Sequence, residues 1–310
     1  MKIVFLDTNT VGDVPNLNLF NQFGDFESYP LTKPEERINR LKDATIVITN
    51  KVVIDKEVMD VCGNLKLICV AATGTNNIDI AYAGEKGITV KNVIDYSTES
   101  VAQITLGMIL YLTNKVWYYD SYVKSGNYAQ STMFTHYGPS FFELKGKTAG
   151  IVGLGNIGKR VADLLSAFGM QIVFYSTSGK NNNSLFPRLD LDSLLNESDI
   201  VSIHSPLNEN TRDLINLNKI KLMKPTAFLI NAGRGGIVNE FDLATALNEN
   251  IIAGAGIDVF EKEPISEQNP LLKIKQPDKL VLTPHIAWAS IESRRLLVEK
   301  IADNIRQFLY

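Results

Sequence analysis

Six residues, Gly153-Leu154-Gly155-Asn156-Ile157-Gly158, limit most tightly what this chain can fold into. They follow the apolar run Gly150-Ile151-Val152 and open a stretch, Ile157 to Phe168, with helical spacing of its apolar residues. G-x-G-x-x-G alone is a weak pattern, but between a strand and a helix it has the context that dinucleotide binding requires. Gly153 permits the tight turn, Gly155 lets the backbone approach a pyrophosphate, and Gly158 lets helix and strand pack closely. The helix start offers free N–H groups and a partial positive charge to phosphate. The reading is a Rossmann-type unit with a nicotinamide dinucleotide along Gly153, Gly155, Asn156, Ile157 and Gly158.

The turn lies in mid-chain. Short apolar runs alternate with helical patterns on both sides of it, which indicates parallel sheets with helices on their faces. Before the turn, strands are expected at Lys2 to Leu6, Ala44 to Thr49 and Leu65 to Ala71, with a short one after Gly87 to Val90. Helices are expected over Pro34 to Leu41, with Thr32 as a cap, over Asp55 to Cys62 and over Ile78 to Lys86. One long helical pattern runs from about Thr98 to Lys124, and its many apolar residues predict burial between domains. Ser125 to Phe142 reads as an irregular loop. From Thr148 the alternation resumes through strands at Thr148 to Val152, Gln171 to Tyr175, Asp199 to His204, Ala227 to Asn231, Ala253 to Val259 and Leu280 to Thr283. A helix, Ile291 to Leu309, ends the chain. The expected architecture is α/β: two Rossmann-like, doubly wound parallel-sheet domains with a cleft between them. Residues 99–286 form the dinucleotide domain, inserted into a substrate domain of 1–98 plus 287–310.

Composition fits this layout and excludes other classes. A length of 310 residues suits two domains. At 45% hydrophobic and 21% charged the chain has enough apolar material for large cores. A net charge of -3 with scattered basic residues gives no reason for a nucleic-acid or membrane-surface partner. The apolar part of Met1 to Asp7 is too short for a signal peptide, and Ile104 to Leu112 is too short to span a bilayer, so a cytoplasmic location is expected. Cys62 and Cys69 read as reduced core cysteines. Three histidines offer no ligand cluster, so no metal is expected. Gly146-Lys147-Thr148 resembles the tail of a P-loop, but the first glycine of that motif would fall at Phe141 and a strand follows. Beyond Asn181 to Asn183 there is no low-complexity run.

NAD-preferring sites carry an acid about 20 residues past the first glycine, bonded to the ribose 2′-hydroxyl. From Gln171 to Leu189 this chain has no carboxylate. Nothing there repels a 2′-phosphate; Ser176, Thr177 and Ser178 could donate to it, and Lys180 could pair with it. The cofactor is therefore read as NAD or NADP, with NADPH accepted.

Three segments follow later apolar strands, where ligands meet open α/β sheets. They are Asn231-Ala232-Gly233-Arg234-Gly235-Gly236, Asp258-Val259-Phe260-Glu261-Lys262-Glu263-Pro264 and Thr283-Pro284-His285-Ile286-Ala287-Trp288. With the glycine turn they give four motifs in one order, nearly end to end, and here the chain resembles the D-isomer-specific 2-hydroxyacid dehydrogenase family. Ala72 to Asp79, Tyr96 to Gln103 and His285 to Ser290 most resemble its glycerate dehydrogenases, also called hydroxypyruvate reductases. The resemblance implies hydride transfer between NAD(P) and a small D-2-hydroxyacid or 2-oxoacid: D-glycerate and hydroxypyruvate, or glyoxylate. It makes His285 the acid/base, a task that suits a side chain whose ordinary pKa is about 6.5. It pairs Glu263 with His285, and a carboxylate beside an imidazole favours the charged ring. It sets Arg234 on the substrate carboxylate and carbonyl. Asp258 is expected beside the nicotinamide, and Thr98, His204, Pro206, Thr211 and Ala232 along the cofactor. Backbone N–H groups at Thr73, Gly74 and Thr75 are expected at the substrate carboxylate, with Lys51 reaching the same group and Trp288 walling the pocket. A homodimer is implied, formed through the dinucleotide domain and the long helix. The alternatives are another 2-oxoacid reductase of the family, or a non-enzymatic dinucleotide-sensing protein.

Overall fold

Ile46-Val47-Ile48 and Leu67-Ile68-Cys69-Val70 have no polar interruption, so they demand burial on both faces, as inner strands of a parallel sheet have. The computed structural model, which describes residues 1–181 and 185–310, shows that arrangement. The chain divides into two units: Met1–Ser97 with Trp288–Tyr310, and Thr98–Ala287. Of the Asn181 to Asn183 run, residues 182 and 183 lie outside the described residues.

The first unit is built from β1 (Lys2–Phe5), β2 (Asp25–Ser28), α1 (Arg37–Leu41), β3 (Ile46–Thr49), α2 (Lys56–Val61), β4 (Leu67–Val70), α3 (Ile80–Glu85) and β5 (Thr89–Lys91). Its sheet runs β2-β1-β3-β4-β5, all parallel. The C-terminal helix, Ile291–Leu309, returns to this unit. Leu297, Val298, Ile301, Ala302 and Ile305 recur at helical spacing and join Ile3, Phe5, Ile46 and Leu67 in one core cluster. The edge strand β2 was not foreseen; Asp-Phe-Glu-Ser is short, polar and half-exposed, and so lacks the burial pattern of a strand. Thr32 does not cap a helix. Its hydroxyl donates to Leu6 O at 2.5 Å, and the segment starts as a 3-10 turn, Pro34–Glu36, before α1.

The second unit comprises α4 (Thr98–Asn114), α5 (Val116–Lys124), β6 (Thr148–Val152), α6 (Asn156–Ala167), β7 (Gln171–Tyr175), α7 (Leu191–Glu197), β8 (Ile200–Ile203), α8 (Leu217–Ile220), β9 (Phe228–Asn231), α9 (Glu240–Asn248), β10 (Gly254–Ile257) and β11 (Leu280–Leu282). Its parallel sheet runs β11-β10-β9-β8-β6-β7, so every strand ends on the same edge. Past β7 the chain returns alongside it: Phe174 N donates to Pro187 O at 3.0 Å and Leu189 N to Phe174 O at 2.9 Å. The expected single helix from Thr98 to Lys124 is two helices. Lys115 has φ 52, a left-handed conformation that ends α4. Its stem turns inward, with Nζ 5.8 Å from the centre of the Phe228 ring, and burial lowers its pKa. The apolar face of α4 is covered within its own unit. Ala102, Met108, Ile109 and Leu112 join Ile151, Leu165, Phe228 and Ile230 in one cluster. Among the described residues no helix is long and apolar enough to cross a membrane.

Candidate active site

The glycine turn sits between β6 and α6. Gly153 has φ +93, and a β-carbon there would lie 2.3 Å from Ser205 Oγ. A β-carbon on Gly158 would lie 2.2 Å from Gly153 O, so helix and turn close only on glycine. Gly155 differs: nothing lies within 4 Å of its hypothetical β-carbon. It is the N-cap of α6 and provides no side-chain acceptor, whereas α2, α3, α7, α8 and α9 are capped by Asp55, Asp79, Asp190, Asn216 and Asn239. Gly155 and Asn156 are exposed. An open glycine at a helix start without a side-chain cap fits a pyrophosphate, which would bind the first-turn N–H groups.

The loop after β7 folds back onto this turn. Asn181 Nδ2 donates to Leu154 O at 2.6 Å, and Asn181 N donates to Ser176 Oγ at 3.2 Å. Ser176 is buried, Thr177 half-buried, and Ser178 and Lys180 exposed. Ser205 Oγ donates to Val152 O at 3.0 Å and reaches Thr177 Oγ1 at 3.4 Å. At the end of β8, His204 Nε2 lies 2.8 Å from Ser202 Oγ. Its Nδ1 is buried without a partner among the described residues, and desolvation lowers the imidazole to about 4. Pro206 is exposed and Ala232 buried. Thr211 is fully buried, and its hydroxyl donates to Pro206 O and accepts from Asn208 N, both at 2.8 Å. These two bonds tie the loop that follows β8.

Beyond β10 and β11, His285 and Glu263 come together although 22 residues separate them. His285 Nδ1 lies 2.7 Å from Glu263 Oε2, with the two side chains 28% and 34% exposed. Phe260 N donates to Glu263 Oε1 at 3.0 Å and fixes the carboxylate. Asp258 is 1% exposed. Thr283 Oγ1 and Ile286 N donate to its Oδ1 at 2.6 and 2.9 Å, and Ala287 N donates to its Oδ2 at 3.0 Å. His285 N also donates to Asp258 O at 2.7 Å. The carboxylate expected beside the nicotinamide is thus engaged in holding the turn that carries His285. The first turn of α4, which contains Thr98, meets the same turn: Ser100 Oγ donates to Ala287 O at 2.6 Å. Arg234 is exposed at the end of β9, with Nη1 donating to Gly233 O at 2.8 Å. The next residue, Gly235, presses on the loop of the acid; a β-carbon there would lie 1.9 Å from Phe260 O.

The remaining expected residues belong to the first unit. Thr73 Oγ1 donates to Val93 O at 3.1 Å, and Asn92 Nδ2 donates to Thr73 O at 2.7 Å, so the Thr73-Gly74-Thr75 loop is braced. Lys51 is exposed on a loop organised by the buried Asp7, whose Oδ2 accepts from Lys51 N at 2.7 Å and Val52 N at 3.2 Å. Trp288 packs edge-on against Tyr96, ring centres 6.1 Å apart.

Sequence reasoning missed the residues that brace these loops: Asp7, Asn181, Ser205, Asn231 and Thr283. Only Asn231 had a usable signal. An asparagine closing a strand before Ala-Gly-Arg can bond its own backbone two residues on. It does so, with Oδ1 accepting from Gly233 N at 3.1 Å and Nδ2 donating to Arg234 O at 2.9 Å.

Comparison with known proteins finds similar sequences and folds. Residues 106–287 match the family described as D-isomer specific 2-hydroxyacid dehydrogenase, NAD binding domain. The chain is 35% identical to the glycerate dehydrogenase of Methylorubrum extorquens, over 99% of this chain and 96% of that one. Its fold matches an NADPH-dependent glyoxylate/hydroxypyruvate reductase of Sinorhizobium meliloti, solved with NADP and malonate. That match has a TM-score of 0.82 at 25% identity, over 99% and 93% of the two chains. It also matches the D-lactate dehydrogenase of Aquifex aeolicus, solved with NAD and lactic acid, with a TM-score of 0.82 at 29% identity over 100% and 95%.

Proposed function

Because the chain belongs to the D-isomer specific 2-hydroxyacid dehydrogenase family, we propose that it is an NAD(P)-dependent oxidoreductase of small D-2-hydroxyacids and 2-oxoacids. D-glycerate and hydroxypyruvate are the leading pair, with glyoxylate a further substrate. The observation that carries the reading is the 2.7 Å pair of His285 and Glu263, on the same sheet edge as a glycine turn open to a pyrophosphate. Bound there, the nicotinamide supplies the hydride in reduction and accepts it in oxidation. Glu263 holds Nδ1 of His285, which leaves Nε2 to give a proton to the carbonyl oxygen in reduction and take it back in oxidation. Arg234 offers a planar fork of donors to the substrate carboxylate. Glu263 keeps the ring in that orientation through the 2.7 Å contact.

NADPH acceptance belongs to the same proposal. Its support is the carboxylate-free stretch after β7 and the hydroxyl-bearing loop held on the glycine turn. So does a homodimer formed through the dinucleotide unit, where Phe134 and Tyr137 are each 87% exposed; a single-chain mass by light scattering at micromolar concentration would contradict it. A cytoplasmic location completes the reading, and recovery with membranes on cell fractionation would count against it. The deciding experiment is kcat/KM on a panel of 2-oxoacids with NADH and NADPH. Hydroxypyruvate and glyoxylate should lead, and NADPH should be used. A large preference for NADH sinks the NADPH reading. Inactivity on every oxoacid, with dinucleotide binding intact, replaces the enzyme with a dinucleotide-sensing protein.

A further inference from the structure

The segment that runs back beside β7 brings a cation to the loop that follows it. Arg188 bridges Phe174 at the end of β7, between the hydrogen bonds of Pro187 and Leu189. Its Nη1 donates to Gly179 O at 3.1 Å. Gly179 closes a turn whose N–H donates to Ser176 O at 3.1 Å, so Ser176, Thr177 and Ser178 lie on the turn to which Arg188 is bound. The same loop is tied to the glycine turn through Asn181 and Leu154 O. The nearest acid along the chain, Asp190, is occupied in capping α7, accepting from Ser193 N at 3.0 Å and Ser193 Oγ at 2.7 Å.

We propose that Arg188 is a specificity-determining residue that reads the 2′-phosphate of NADPH, together with the hydroxyls of the Ser176–Ser178 turn. This rests on the NADPH reading above. A 2′-phosphate is a dianion with several acceptor oxygens, and a guanidinium fork is the side chain best matched to it. NADH has only a 2′-hydroxyl there and gains little from a cation. Distance along the chain hides the residue: Arg188 lies 13 positions past Tyr175, and only the return alongside β7 brings it to the loop.

The test compares wild type with Arg188→Gln, and with Arg188→Lys as the charge-retaining variant. Two readouts are used: kcat/KM for NADPH and NADH with one oxoacid, and calorimetric affinity for 2′,5′-ADP and 5′-AMP without turnover. Arg188→Gln should lower kcat/KM for NADPH and affinity for 2′,5′-ADP by about tenfold or more, the usual weight of a charge-assisted bond. The NADH and 5′-AMP values should stay within about twofold, and Arg188→Lys should recover part of the loss. Unchanged NADPH and 2′,5′-ADP values in Arg188→Gln overturn the role of Arg188 while leaving NADPH use intact. Equal losses for both cofactors overturn it too, because they show only a loosened turn. Wild type that binds 2′,5′-ADP no tighter than 5′-AMP overturns the NADPH reading itself and Arg188 with it.

Discussion

His285 sits at φ 53, a left-handed conformation that costs a residue with a β-carbon about 1–2 kcal/mol. Four hydrogen bonds to Asp258 hold the turn in that state. Two substitutions separate the proton carrier from its support. His285→Ala should cut kcat by about 10²–10⁴, the usual weight of general acid–base catalysis, with dinucleotide affinity unchanged. Near-normal turnover would refute the assignment. Asp258→Asn replaces one acceptor oxygen with a donor that faces other donors. It should lower stability by about 1–3 kcal/mol and kcat by about tenfold or more, with dinucleotide Kd within about threefold. A raised Kd with normal kcat would put Asp258 at the cofactor instead. His204 gives a pH prediction. It takes a proton near 6.5 when unfolded but only near 4 when folded. Its share of stability is therefore complete above pH 6.5 and lost as the pH falls toward 4. His204→Gln should flatten that limb by about 1–3 kcal/mol in urea unfolding at pH 7 against pH 4.5. Identical slopes in the two proteins would show that His204 is not the group responsible.

Elements place these residues through the ends of parallel strands. β8 leads into His204, β9 into the loop of Arg234, β10 into Asp258 and β11 into the turn of His285, because adjacent strands share one direction and one edge. The loops then lock by close approach. Gly235→Ala would push a β-carbon into Phe260 O, 1.9 Å away, and part the Arg234 loop from the Glu263 loop. A loss of about 2–4 kcal/mol and a raised KM for the oxoacid are expected, from denaturant unfolding and steady-state kinetics. Wild-type values for both would show that the loops do not depend on that contact.

At the scale of the molecule, each unit has its own cores. Those of the second unit gather around Val201, Leu229 and Leu247 and around Ile151, Leu165 and Phe174; those of the first around Ile3, Phe5 and Ile301 and around Val4, Val47 and Ile68. Ligand binding stabilises the folded form by mass action. A dinucleotide at 100 times its Kd should stabilise the unit carrying the glycine turn by about 2.7 kcal/mol, with cofactors ranking as they do in kinetics. Calorimetry with no shift for either cofactor at millimolar concentration would remove the turn from cofactor binding.

The sequence by itself determined the two α/β units, nearly every strand, the glycine turn and the family. These depend on local composition: unbroken apolar runs, glycines at fixed spacing, and four motifs in one order. It also named His285 and Glu263, but as family residues, since nothing local says that positions 22 apart will meet. Tertiary structure decided what the polar side chains bind. Asp258 is the same residue type whatever it binds, and only the neighbouring loop brings the backbone N–H groups of Ile286 and Ala287 to its oxygens. It decided the break at Lys115, where a left-handed residue interrupts a continuous helical pattern. It also brought Arg188 to the loop at Ser176, because strand pairing joins residues that the linear spacing of a motif does not.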